Sequence, residues 1–101
     1  MRFVVSGESM EPAFSHGDKL WVSRLIYKVK KIVVGDAVVM LDPRDSRLIL
    51  KRVKSRSREG YFVAGDNEKK STDSRTFGLV KPERIIGMVI FRYSRARSAL
   101  N

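Results

Sequence analysis

Ser9 stands in the heptapeptide SGESMEP, near the start of a chain with no cysteine and a single histidine. A serine hydroxyl becomes a nucleophile only when a base within hydrogen-bond reach takes its proton. Histidine is the usual base, but His16 lies in SHGDK, whose composition predicts an exposed polar turn. The other route is a lysine whose charged form is disfavoured by burial, so that its pKa falls from about 10.4 toward the working pH. Lys51 meets that requirement. It sits in RLILKRVKS, and alternate residues of a strand share a face. Ile49, Lys51 and Val53 then point one way, and Leu48, Leu50 and Arg52 the other. Lys30, Lys31, Lys69 and Lys70 have polar or charged neighbours instead. Pattern alone leaves open the commoner alternative, a lysine that lays its stem over apolar surface and keeps its head in water. A third stretch, GDNEKKSTDSRTFG from Gly65 to Gly78, follows the apolar run YFVA. Taken alone it is a long solvated connection.

These residues need a scaffold, and composition bounds it. The chain has 101 residues, of which 43% are hydrophobic, which suits one domain with one core. No run of about 18 apolar residues predicts a membrane-spanning helix. The apolar Phe3–Val5 is too short for a signal-peptide core. A soluble, cytoplasmic chain is expected, or a membrane-associated one if an anchoring segment precedes it. The lack of cysteine excludes a disulfide framework, a thiolate nucleophile and a cysteine zinc site, and one histidine excludes a multi-histidine metal site. No metal or cofactor is expected. Net charge is +10, with basic residues clustered at Lys28, Lys30 and Lys31, at Lys51, Arg52, Lys54, Arg56 and Arg58, and at Arg92, Arg95 and Arg97. Such a surface attracts polyanions, so peripheral contact with an anionic membrane is one reading and a solvated face the other. The clusters lack the interleaved aromatics of a stacking platform, which disfavours nucleic acid.

The coarse organisation is β. Runs rich in branched and aromatic residues predict strands at Phe3–Val5, Lys19–Arg24, Ala37–Leu41, Arg47–Lys54, Tyr61–Ala64 and Ile85–Tyr93. Gly-Asp recurs at residues 17–18, 35–36 and 65–66. Glycine supplies the turn angles and aspartate binds nearby amides. RLIYKVKKI has some helical spacing but too many β-branched residues to settle its state.

Together the three stretches resemble the type I signal peptidase family of serine proteases. SGESMEP is similar to that family's nucleophile motif, LKRV to the motif carrying its lysine base, and GDNEKKSTDSRTFG to its third signature, all in the family's order. ERIIGMVIFRY resembles the closing strand. The resemblance implies Ser9 as nucleophile and Lys51 as general base, with no cofactor. It implies that Ser71 orients the lysine, that Asp73 and Arg75 form a supporting ion pair, and that Asp66 and Asn67 are structural. Met10 and Pro12 would shape the turn presenting Ser9. The Ser9 amide would be one oxyanion donor. Some members place a serine two residues before the nucleophile, but Gly7 occupies that position, so the second donor falls to another amide, a water or Ser6.

The implied fold is a mostly β single domain of coiled, barrel-like antiparallel sheets, spanning residues 1–94 as a minimal catalytic core, with 95–101 a flexible basic tail. Substrate would be a polypeptide bound as an added extended strand, with Phe3, Val5, Leu48 and Leu50 as pocket walls. Only residues 52–64 separate Lys51 from Gly65, so the large inserted β domain of many members is missing. In its short length and compact spacing the chain is most similar to the soluble subgroup that matures nickel-dependent superoxide dismutase by removing an N-terminal propeptide. Three alternatives stand beside that reading. One is a secretory signal peptidase without its anchor. Another is a self-cleaving Ser/Lys regulator, disfavoured because 101 residues leave no room for a DNA-binding domain. The last is a non-catalytic basic β module binding nucleic acid or anionic membrane.

Overall fold

Short apolar runs punctuated by turn residues form six strands: β1 (Arg2–Val4), β2 (Lys19–Ser23), β3 (Ala37–Leu41), β4 (Leu48–Ser57), β5 (Gly60–Ala64) and β6 (Ile85–Ser94). The computed structural model describes residues 1–70 and 74–96. All strands join one antiparallel sheet of order β1-β2-β6-β3-β4-β5. The mostly β expectation holds, with boundaries displaced by a few residues. β4 runs on to Ser57 because a tight hairpin pairs Ser57 with Gly60. Gly60 has φ +144°, and a Cβ there would lie 2.5 Å from the Val80 carbonyl oxygen. Only glycine lets that segment approach so closely. The ambiguous RLIYKVKKI closes one 3₁₀ turn, Ile26–Lys28, whose first amide donates to Ser23 Oγ at 3.1 Å.

Two of the Gly-Asp pairs open strands as the turn chemistry predicts. Asp18 is buried and accepts from the amides of Ser15 and Ala96 at 2.9 and 2.7 Å, and from Arg92 at 3.1 Å. Burial pushes its carboxyl up, but the two amides and Arg92 outweigh this and leave it below the ordinary range. Asp36, also buried, accepts from the Val33 amide and the Tyr27 hydroxyl at 3.1 and 2.7 Å.

Strand alternation divides the apolar residues into two cores, one on each face, rather than the single core that composition suggested. Val5, Met10, Leu20, Val22, Ala37, Val39 and Leu50 gather on one face, and Ile32, Val38, Met40, Val53, Val63, Val80 and Ile85 on the other. Each large side chain fully withdrawn from water stabilises the fold by roughly 1.5–3 kcal/mol. Val5, just past β1, shares a core with Leu50 of β4, although β2, β6 and β3 lie between those strands in the sheet. The sheet is therefore curled, and its curl faces the residues before Ser9 toward those before Lys51.

Candidate active site

The Ser6–Met10 turn leaves β1 through Gly7, whose φ of +82° is the left-handed conformation glycine tolerates. Met10, 1% exposed, is seated in the first core and anchors the turn from beneath. The Glu11 amide donates to the Glu8 carbonyl and the Phe14 amide to that of Met10, at 3.2 and 2.9 Å. Pro12 is exposed at the far side of the turn, following a cis Glu11–Pro12 bond. This leaves Ser9 half-buried.

Lys51 is 5% exposed in the middle of β4 and stands opposite Val38 of β3. A groove of about 360 Å³ brings it together with Ser9. Phe3 and Val5 line one side of this groove and Leu48 and Leu50 the other, while Ser6 and Arg47 also border it. Among the described residues, two strand edges are unpaired along it. β1 is the end strand of the sheet, and β5 pairs with β4 only from Arg52 onward. A larger hollow of about 600 Å³ around Trp21 contains another serine and lysine, Ser23 and Lys28. There Ser23 Oγ is taken by the Ile26 amide and Lys28 is exposed, so neither meets the demands on a nucleophile and an uncharged base.

The third motif is bound to both of the others. The Asn67 amide donates to the Ser9 carbonyl at 2.9 Å, and Asn67 Nδ2 to the Glu8 carbonyl at 3.2 Å. Asp66 accepts two hydrogen bonds from Arg52, at 3.0 and 2.6 Å, and Arg52 also donates to the Gly35 carbonyl at 3.0 Å. The hydrogen bond from Arg52 holds the Asp66 carboxyl below its ordinary range, against the opposing effect of burial. The loop thus clamps the strand that carries Lys51 and the turn that carries Ser9. Ser71 and Asp73 lie outside the described residues, and with them the expected ion pair to Arg75, which is exposed on the short helix α1 (Ser74–Phe77).

Three contributors carried no recognisable role in the sequence. Arg52 reads as one of a basic run, yet it is the partner of Asp66. Ser74 is buried, and its Oγ accepts from the Val63 amide at 2.9 Å, fixing α1 against β5. His16 is exposed, as expected, but it accepts a hydrogen bond from the Gly7 amide. The basic clusters also divide. Lys51 and Arg52 are withdrawn into the site. Arg92 is spent on Asp18 and the Ala13 carbonyl. Lys28, Lys30, Lys31, Lys54, Arg56 and Arg58 remain exposed.

Residues 1–56 and 57–94 match the family described as "Signal peptidase, peptidase S26". Signal peptidase IB of Staphylococcus aureus (strain Mu50 / ATCC 700699) is 52% identical over 33 residues, covering 33% of this chain and 17% of that protein. Signal peptidase I of Bacillus caldolyticus is 59% identical over 32 residues, covering 32% of this chain and 18% of that protein. The matched stretch thus spans less than a fifth of either relative. The chain matches that family over nearly its whole length. It belongs to the signal peptidase, peptidase S26 family. No helix among the described residues is long and apolar enough to cross a membrane.

Proposed function

We propose that this chain is a serine endopeptidase that removes an N-terminal leader or propeptide, with Ser9 as nucleophile and Lys51 as general base. The observation that carries this reading is the groove shared by Ser9 and the buried Lys51. Desolvation disfavours the ammonium, so the amine is available as a proton acceptor. It takes the Ser9 proton as Oγ attacks the scissile carbonyl carbon. The resulting oxyanion is met by the Ser9 amide. Collapse breaks the C–N bond, and the proton on Lys51 passes to the leaving amine. Water, deprotonated by the same amine, then hydrolyses the acyl-enzyme and frees Ser9. The two open strand edges suit a substrate that joins as an extended strand, its side chains meeting Phe3, Val5, Leu48 and Leu50.

Within that reaction, the short spacing between motifs favours a propeptide substrate such as that of nickel-dependent superoxide dismutase over a secreted preprotein. The exposed cations support peripheral contact with an anionic membrane. The test offers both substrate classes to wild type and Ser9→Ala. Wild type should cut the propeptide faster than the signal peptide, and Ser9→Ala should cut neither while keeping its circular dichroism. Turnover by Ser9→Ala would remove Ser9 from the mechanism, and preference for the signal peptide would overturn the substrate assignment alone.

A further inference from the structure

The turn carrying Ser9 is held from below by Met10 and from the side by Asn67. A further tie comes from a residue that no motif marks. The Gly7 amide donates to His16 Nδ1 at 2.9 Å, across nine positions of sequence. His16 itself stands on a fixed turn. The Gly17 amide donates to the Val5 carbonyl at 2.8 Å and the Val5 amide to the Asp18 carbonyl at 2.9 Å. The Asp18 amide donates to the Ser15 carbonyl, and the Asp18 carboxylate accepts from Ser15 in return. A Cβ on Gly17 would lie 3.2 Å from that of Ala96, so the chain after β6 packs against the same turn. The imidazole is thus presented by a rigid base, next to the residue where β1 hands the chain to the nucleophile turn.

The geometry points to His16 as a positioning residue that fixes the Gly7 peptide and, through it, the backbone presenting Ser9 two residues later. This rests on the reading of Ser9 as nucleophile. Two chemical consequences follow. The Gly7 amide is occupied, so it is not the second oxyanion donor, and of the candidates weighed above Ser6, which borders the groove, keeps its place. The contact also needs Nδ1 without a proton, because a protonated imidazole has only donors. Acid therefore turns an acceptor into a donor aimed at another N–H. The charged groups on the surrounding segments are Glu8 and Glu11 on the nucleophile turn, Asp18 and Lys19 just after His16, Arg92 near the end of β6 and Arg95 just past it. Of these, Asp18 and Arg92 are committed to each other.

The experiment compares wild type, His16→Ala and His16→Asn. Asparagine places an acceptor oxygen at the same number of bonds from Cβ as Nδ1, and it takes up no proton. His16→Ala should lower kcat roughly tenfold with KM little changed, since displacing a nucleophile by about 1 Å costs up to about 10²-fold. His16→Asn should recover most of that loss. The second readout needs no activity. In wild type the Gly7 amide resonance should move with pH in step with the His16 ring signals, and in His16→Asn it should stay still through that range. Wild-type kcat in His16→Ala, equal losses in both variants, or a Gly7 resonance indifferent to the imidazole would each overturn the proposal. Turnover by Ser9→Ala would instead defeat the nucleophile assignment, and the Gly7 titration would still report on the tie itself.

Discussion

β4 is one strand with two characters. From Leu50 to Val53 it runs between the two cores, and Lys51 there is buried; from Lys54 to Ser57 every residue is exposed. Lys51 and Lys54 share a backbone and a side-chain type, and they stand three residues apart. Up to Lys51 the strand has β3 on one side and the groove on the other, and from Arg52 onward β5 pairs with it. The second half forms an outlying hairpin with β5, past an irregularity between Val53 and Ser55. Environment, not residue type, separates a candidate base from an exposed cation that reaches only the edge of Asp66, 3.9 Å away.

The sharpest way to break this comparison is to exchange each lysine for arginine. Lys51→Arg keeps the charge but installs a guanidinium that does not give up its proton. Cleavage should fall by roughly 10²–10⁴-fold, the usual worth of a positioned general base, whereas Lys54→Arg should stay within twofold of wild type. A pH–rate profile adds to this: a lysine acting as general base must be unprotonated, so wild-type rate should rise with pH. Near-wild-type cleavage by Lys51→Arg would take Lys51 out of the chemistry.

An intermediate effect is expected at Arg52, where the strand changes character. Its half-buried, two-pronged bond to Asp66 is of the charge-assisted kind worth about 1.5–3 kcal/mol. Asp66→Asn should lower the urea midpoint at neutral pH accordingly. Because the folded carboxyl titrates below its ordinary value of 3.8, its stabilisation is complete above that value and is lost as pH falls through the lower folded one. The gap between wild type and Asp66→Asn should therefore close in acid, and a gap unchanged at pH 3 would show that Asp66 contributes by packing rather than by charge.

The smallest effect belongs to the exposed half. Each surface cation near an anionic bilayer contributes about 1 kcal/mol at low salt. Replacing Arg56 and Arg58 together by glutamine should weaken co-sedimentation with phosphatidylserine vesicles at low ionic strength and leave peptide cleavage in solution unaltered. Equal binding of both proteins would move any membrane contact elsewhere on the surface.

The two halves also show what can be read from sequence. The apolar neighbours of Lys51 were legible because a period of two places Ile49 and Val53 on its face, but that pattern alone left open a lysine whose head stays in water. The strands were legible for the same reason. The groove was not, because the approach of Val5 to Leu50 comes from the curl of the sheet, which no local pattern encodes. Arg52 looked like its exposed neighbours, since its partner lies 14 residues away around a hairpin whose register slips. The imidazole bonded to Gly7 was hidden too, because a histidine in a polar turn has the same local pattern whether or not an amide nine residues away meets it.

The order of the sheet has a consequence for biosynthesis. β1 and β2 join β3, β4 and β5 only through β6, which follows all three in the chain. A chain still emerging from the ribosome can close the β4–β5 hairpin and bury part of the second core, but it cannot seat its first strands against the fourth. The groove comes into being when β6 slides between the two halves, so a nascent chain holds Ser9 and Lys51 in separate pieces until Ile85–Ser94 has been made.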